Sequence, residues 1–319
     1  MLDFKLPCAD RPWRRIALAR GLLAGLLATL ILPFAAHAAT DKSATAPAQP
    51  NALLGLNFGL AVGNQQDQYV AAQALASLLG NAVHRKIIWE GGFNLAKAQQ
   101  AGGNEALSFR YAFVKPPNLT AALLGKGWHL VAVGEDTIHF GTDLIAPSCP
   151  GQPGKVLLGG HSLSILDMGT HPAQTCVTPD QVWQSPSAVM LAPKEGSLVD
   201  LIAQKLWREH GAIPQHIARV QTQNAVVGLM RDMHVAAVGV VTPVVSKAWA
   251  AQGGIVLAHR PMPFWALVAA PDVSAQEIDD ARSALMSPSA AAVNKALHIP
   301  GWTDGGPKQY ADFLKWLKG

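Results

Sequence analysis

Gly196-Ser197-Leu198-Val199 is a run of the kind that opens a helix, and such an opening can hold an anion. The first backbone N–H groups of a helix have no intrahelical partner and lie at the positive end of its dipole. Here the Ser197 hydroxyl adds a donor, and Lys194 just upstream adds charge. The competing role is plain N-capping by Ser197, with Lys194 in solvent. Four other short stretches carry neutral polar groups or a lysine: Gly63-Asn64-Gln65-Gln66, Lys115-Pro116-Pro117-Asn118, Thr222-Gln223-Asn224 and Thr242-Pro243. Each taken singly is ordinary turn chemistry. Tyr69 is a candidate to line the same site or to sit in the core.

Two other chemistries compete. Val156-Leu157-Leu158-Gly159-Gly160-His161-Ser162-Leu163-Ser164 reads as a strand leading to a nucleophile elbow, which would make Ser162 the nucleophile of a secreted serine hydrolase. The closing glycine of that motif is Ser164, no helical pattern follows Ser162, and Pro172 comes within ten residues. An acid and a base can be chosen from Asp232 and His259, but no spacing favours them. Ten of the eleven histidines lie beyond residue 38, among them His161, His171, His210, His216 and His234, and none forms a tight ligand pair. A metal site and a cofactor are therefore not expected. Cys149 and Cys176 are the only cysteines after Cys8. In an oxidising compartment such a pair is expected to form one disulfide, the alternative being two buried thiols. If reduced, they could hold arsenite.

The elements that must position these groups alternate. Apolar runs at 54–62, 84–89, 109–114 and 128–133 read as strands, separated by helical stretches at 67–80, 93–100 and 119–124. This pattern predicts an open α/β sheet with helical crossovers. After an irregular middle, with extended runs at 138–146, 155–158 and 162–166, a second α/β unit follows. It has strands at 188–192, 216–220 and 235–241, a long helix from Ser197 to His210 stopped by Gly211, and a helix at 224–232. Thr178-Pro179-Asp180 starts a short helix, and Ser274 with Glu277 forms a capping box for a helix at 274–286. Strands at 254–259 and 264–269 and helices at 289–297 and 310–317 complete the chain. Open α/β sheets hold ligands beyond the carboxyl ends of their strands, which is where the four polar stretches fall.

The chain has 319 residues, 50% hydrophobic and only 14% charged, enough for a large core and too apolar for disorder. Its net charge is +4, but residues 1–38 hold five of the cations (Lys5, Arg11, Arg14, Arg15, Arg20) against Asp3 and Asp10, which is +3. The remaining +1 gives no ground for nucleic-acid binding. The same 38 residues read as a cleavable secretory signal: a basic segment, an apolar run at 21–32, and Ala36-His37-Ala38 as an A-x-A site. Arg14-Arg15 matches a twin-arginine signal poorly, so ordinary Sec export is expected. Residues 39–52 form a proline-rich tether.

In sequence order, further pieces fall into a pattern. Leu54-Gly55-Leu56-Asn57-Phe58-Gly59 is followed by a helix ending in Leu79-Gly80. Tyr111-Ala112-Phe113-Val114-Lys115-Pro116-Pro117 is a strand running into a proline loop. Thr178-Pro179-Asp180-Gln181-Val182-Trp183 precedes a strand, and Gly196-Ser197-Leu198 opens a helix ending Arg208-Glu209-His210-Gly211-Ala212-Ile213. The segment 224–241, then Met262-Pro263-Phe264, then Gly301-Trp302 with Tyr310, close the series. Together these resemble the periplasmic substrate-binding proteins of phosphonate, phosphite and phosphate ABC transporters, a branch of the type II periplasmic binding-protein fold. The chain departs from them at Ser197-Leu198-Val199, where two of three hydroxyls are missing, and at Met233-His234-Val235-Ala236, which lacks an acid. Residues 149–176 read as an insertion.

The resemblance implies an α/β, two-lobed architecture, each lobe an open sheet flanked by helices. Residues 53–142 plus 255–319 would form lobe 1 and 143–254 lobe 2, with hinge segments near 140–144 and 245–260. It implies a non-catalytic, monomeric periplasmic protein that captures a small oxyanion for an ABC transporter permease. A sensor subunit for a signalling receptor, with arsenic oxyanions among its ligands, is the alternative on the same fold. The ligand-binding residues it implies are Gln65, Gln66, Tyr69, Lys115, Asn118, Gly196, Ser197, Leu198, Thr222, Asn224 and Thr242.

Overall fold

A computed structural model describes residues 51–58, 65–99, 108–159, 174–185, 188–232 and 235–319, within a compact unit that spans Ala48–Gly319. The leader, most of the tether and the Ser162 elbow lie outside the described residues.

The first part of the chain alternates as its hydrophobic pattern dictates. Strand β1 (Ala52–Asn57) leads to helix α1 (Gln65–Ala82), which buries Ala71, Ala72, Leu75, Ala76 and Leu79 as one stripe. Strand β2 (Ile87–Gly91) starts three residues later than the apolar run suggests, because His84 turns the chain at φ 49°. Helix α2 (Leu95–Gln99), strand β3 (Ser108–Val114), helix α3 (Pro117–Leu124) and strand β4 (His129–Gly134) follow. Pro117 begins α3 at the one turn where a missing N–H costs nothing.

The chain then crosses, through residues 135–140, into strand β5 (Gly141–Ala146), buried along its whole length. A small ladder of β6 (Val156–Leu158) and β7 (Thr175–Val177) comes next. Helix α4 (Pro179–Val182) carries the Thr178–Gln181 capping box. Strand β8 (Val189–Ala192), helix α5 (Leu198–His210), strand β9 (His216–Arg219), helix α6 (Gln223–Arg231) and strand β10 (Val238–Val241) build the second unit. Gly211 ends α5 with extended backbone at φ −179°, and is required for space: a Cβ there would strike the Trp183 carbonyl.

One helix departs from expectation. Residues 245–251, read as part of a crossing, belong to helix α7 (Pro243–Ala251), with Pro243 in its first turn. Strand β11 (Ile255–Pro261) follows, and residues 262–265 lead to strand β12 (Ala266–Ala269). Helices α8 (Ala275–Leu285) and α9 (Ala291–Leu297), strand β13 (Trp302–Thr303) and helix α10 (Pro307–Lys318) end the chain.

Two sheets organise these elements. The first has the order β13-β4-β12-β3-β1-β2, with β1 parallel to β2 and β3, and β12 antiparallel to β3 and β4. The second has the order β11-β5-β10-β8-β9; β8, β9 and β10 run parallel and β5 opposes both β10 and β11. The chain passes between the sheets at 135–140 and 262–265, not at 245–260. One core sits about the first sheet; the second sheet has a core on each face. Helix α10 joins the two, with Tyr310 in the core of the first sheet and Phe313 in that of the second.

Candidate functional site

The carboxyl edge of the first sheet gathers Phe58, Lys115 and Trp265. Phe58 directly follows β1. Lys115 follows β3, its N–H donating to the Asn57 carbonyl at 2.9 Å. Trp265 directly precedes β12, whose first residue Ala266 pairs with Val114. Lys115 and Trp265 are therefore the next opposed pair beyond the ladder. The Lys115 Nζ lies 3.7 Å from the Trp265 ring centroid and 5.5 Å from that of Phe58. Among the described residues no carboxylate pairs with it. Burial pushes its ammonium down to about 8. The Trp265 Nε1 and the Asn118 Oδ1, in the first turn of α3, are buried without a hydrogen-bond partner. Phe140, on the other crossing, stands edge-on to Trp265 at 6.3 Å. Phe58, Phe140 and Trp265 are all half-buried.

At the carboxyl end of β8 the helix start is arranged differently from expectation. Ser197 caps α5, its Oγ accepting the Asp200 N–H at 3.3 Å. The Gly196 N–H, expected to face a ligand, donates to the Asp200 carboxylate at 2.9 Å. Asp200 is fully buried and also accepts from Arg219 at 2.6 Å and Gln204 at 3.0 Å. An acid in the first turn is the nearest anion to those amides and to the dipole, so it engages them itself. The signal is visible in the sequence: Ser197 and Asp200 stand at capping-box spacing. Leu198 is half-buried at the first helical position, and Lys194 is exposed.

The remaining expected residues fall into two groups. Thr222 caps α6 by accepting the Ala225 N–H at 3.1 Å. Gln223 Oε1 accepts the N–H and the hydroxyl of Thr242 at 2.8 and 2.9 Å, lashing the starts of α6 and α7 together. Asn224 is exposed beside them. Gln65 and Gln66 are exposed at the start of α1, while Tyr69, 53% exposed, sets its ring edge-on to Trp89 of β2 at 5.5 Å.

A cluster not anticipated from sequence sits where β5 meets β11. Asp143, nearly fully buried, faces His259 in register and is 2.5 Å from its Nδ1. It also accepts from the Ser246 hydroxyl of α7. The carboxylate stands between the hydroxyl and the imidazole, so Ser246 has no base, whereas a nucleophile relay needs the imidazole in the middle. His259 is thus paired with Asp143, and Asp232 bonds Arg231 at 2.7 Å.

Cys149 and Cys176 form a disulfide, Cα to Cα 5.7 Å, that ties the segment after β5 to β7. Among the described residues no group of three or more His, Cys, Asp or Glu is placed to hold a metal ion, and no helix is long and apolar enough to cross a membrane. Two grooves, of about 670 and 560 Å³, lie along α3, α8 and α10 and include none of the expected ligand residues.

No protein-family model matches the sequence, and no curated protein does. Solved structures do match. PhnD1 from Prochlorococcus marinus, in complex with methylphosphonate, has a TM-score of 0.57 at 9% identity, covering 85% of this chain and 98% of its own. XAC2383 from Xanthomonas citri bound to ATP has a TM-score of 0.55 at 12% identity, covering 84% and 97%. A TctC solute binding protein from Polaromonas has a TM-score of 0.51 at 13% identity, covering 84% and 98%. At these identities the likeness is one of fold. The chain has the two-lobed α/β architecture of the type II periplasmic binding proteins, each lobe an open sheet flanked by helices.

Proposed function

We propose that this protein is a periplasmic solute-binding protein that captures a small oxyanion, of the phosphate, phosphite or phosphonate class, and presents it to an ABC transporter permease. The carrying observation is Lys115: a half-buried ammonium over aromatic rings with no carboxylate partner among the described residues, at the strand edge where open α/β sheets take their ligands. A buried charge needs a counter-charge to be stable, and a bound anion supplies one. Asn118 follows in the first turn of α3. Thr222, Asn224 and the first-turn amides of α5 at Leu198 offer donors from the second lobe, whereas Thr242 gives both its N–H and its hydroxyl to Gln223. Gln65 and Gln66 lie at the entrance of α1.

The fold shared with PhnD1 and the TctC protein supports a binding role over catalysis, and the signal-like leader supports export. The pivots of closure are the crossings at 135–140 and 262–265, so that β5 and β11 travel with the second sheet. The test is calorimetric titration with phosphate, phosphite, methylphosphonate, sulfate, arsenate and arsenite. At least one should bind, and Lys115→Gln should abolish it. Retained binding in that variant refutes the site, and an unresponsive wild-type protein refutes the reading.

A further inference from the structure

The surroundings of Lys115 say more about the ligand than its charge. An inorganic oxyanion exposes polar oxygen on every side, and its desolvation must be repaid by several donors. Around Lys115 the neighbours are mainly aromatic faces: Trp265 under the ammonium at 3.7 Å, Phe58 at 5.5 Å, and Phe140 edge-on to Trp265. A further buried, unpartnered donor there is the Trp265 Nε1–H. The Gly196 amide, expected to supplement them, donates to Asp200. Among the described residues Lys115 is the one cation in this cluster.

We infer that the ligand is an organic monoanion with an apolar body, a carboxylate, sulfonate or hydrogen phosphonate, whose acid group meets Lys115 and the Trp265 N–H while its hydrocarbon part covers the rings of Phe58, Phe140 and Trp265. This rests on the anion-binding reading of Lys115 and moves the ligand from the bare phosphate and phosphite ions to organic acids. The three rings are half-buried; Trp265 is stacked on Phe264 at 4.3 Å with Lys115 over its ring, so Phe58, Phe140 and the edge of Trp265 keep the surface for a ligand to cover. Trp265 lies on a crossing between the lobes, which makes it a specificity residue that also senses occupancy.

Matched pairs test it on the whole protein by calorimetry: methylphosphonate with phenylphosphonate, acetate with phenylacetate, methanesulfonate with benzenesulfonate, and phosphate and sulfate as bare ions. In at least one pair the larger member should bind about tenfold or more tightly than the smaller, and more tightly than either bare ion. Trp265→Leu should shrink that advantage to less than threefold, while Trp265→Phe, which keeps a ring but loses the N–H, should weaken both members alike. If a bare ion or the methyl members bind as tightly as the larger ones, and Lys115→Gln still abolishes binding, the apolar body is refuted and the anion site stands. If no member binds, or Lys115→Gln changes nothing, both are refuted. Should Trp265→Leu fail to fold, the wild-type pairs decide alone.

Discussion

Lys115 was legible as a candidate because it follows a strand and precedes Pro116-Pro117. Its environment was not legible: Phe58 and Trp265 are far away in sequence and reach it only through the β1, β3 and β12 register. That environment makes a sharp stability prediction. Burial lowers the Lys115 pKa from 10.5 to about 8. Below pH 8 the ammonium is charged in both folded and unfolded chains, and its desolvation cost is fully present. Between pH 8 and 10.5 the unfolded chain holds a proton that the folded chain has released, so stability rises with pH across that window. Lys115→Met should therefore stabilise the ligand-free protein by ~1–3 kcal/mol at pH 7, and the gap should close towards pH 10.5. Denaturant melts of both proteins at pH 7 and 10 check this; a destabilised Met variant at pH 7 would contradict it. Anion affinity should fall as pH rises through 8, since the neutral amine lacks the charge. Asp200 shows the opposite economy, a buried carboxylate with its partners all in place. Asp200→Ala strips the Gly196, Gln204 and Arg219 contacts and should cost ~3–5 kcal/mol in the same melts.

Among the elements, the alternation of the first sheet was plain from periodicity, because its strands and helices bury continuous stripes. The start of β10 was placed early, since Val235-Ala236-Ala237 is as apolar as the strand it precedes. Helix α7 was hidden because its first turn exposes an apolar residue, Val244 at 59%, and buries a polar one, Ser246 against Asp143. What its packing demands is visible only in three dimensions. Gly239 of β10 leaves room for α6: a Cβ there would lie 2.5 Å from Val226 Cγ1 and 2.8 Å from Met230 Sδ. Gly239→Ala should cost ~1–3 kcal/mol by overpacking, read as a lower midpoint at unchanged denaturant slope. The Cys149–Cys176 bond closes a loop of sequence separation 27. A loop of that length contributes ~3–4 kcal/mol by chain entropy, so reduction or Cys176→Ser should lower the midpoint correspondingly.

At the scale of the whole molecule, three connections join the lobes: the crossings at 135–140 and 262–265, and α10. The crossings are narrow, while α10 is a packed strap. Its Tyr310 hydroxyl donates to the Phe264 carbonyl at 2.6 Å on the first side. Trp316 stacks under Arg260 at 3.9 Å and donates to Glu209 at 2.6 Å on the second. The strap packs on α3, the helix that follows Lys115, and must shift its packing if the lobes close. A ligand moves such an equilibrium only by its differential affinity for the two states. Loosening the strap alters the resting balance and therefore the apparent affinity, with no change in ligand contacts. Trp316→Ala should leave the Lys115 site intact but enlarge the ligand-free particle in small-angle scattering. An anion that binds the wild-type protein should still compact it, with an apparent Kd raised severalfold. Identical scattering of wild-type and variant, with and without that anion, would mean that α10 is only a core helix and that the lobes do not move about it.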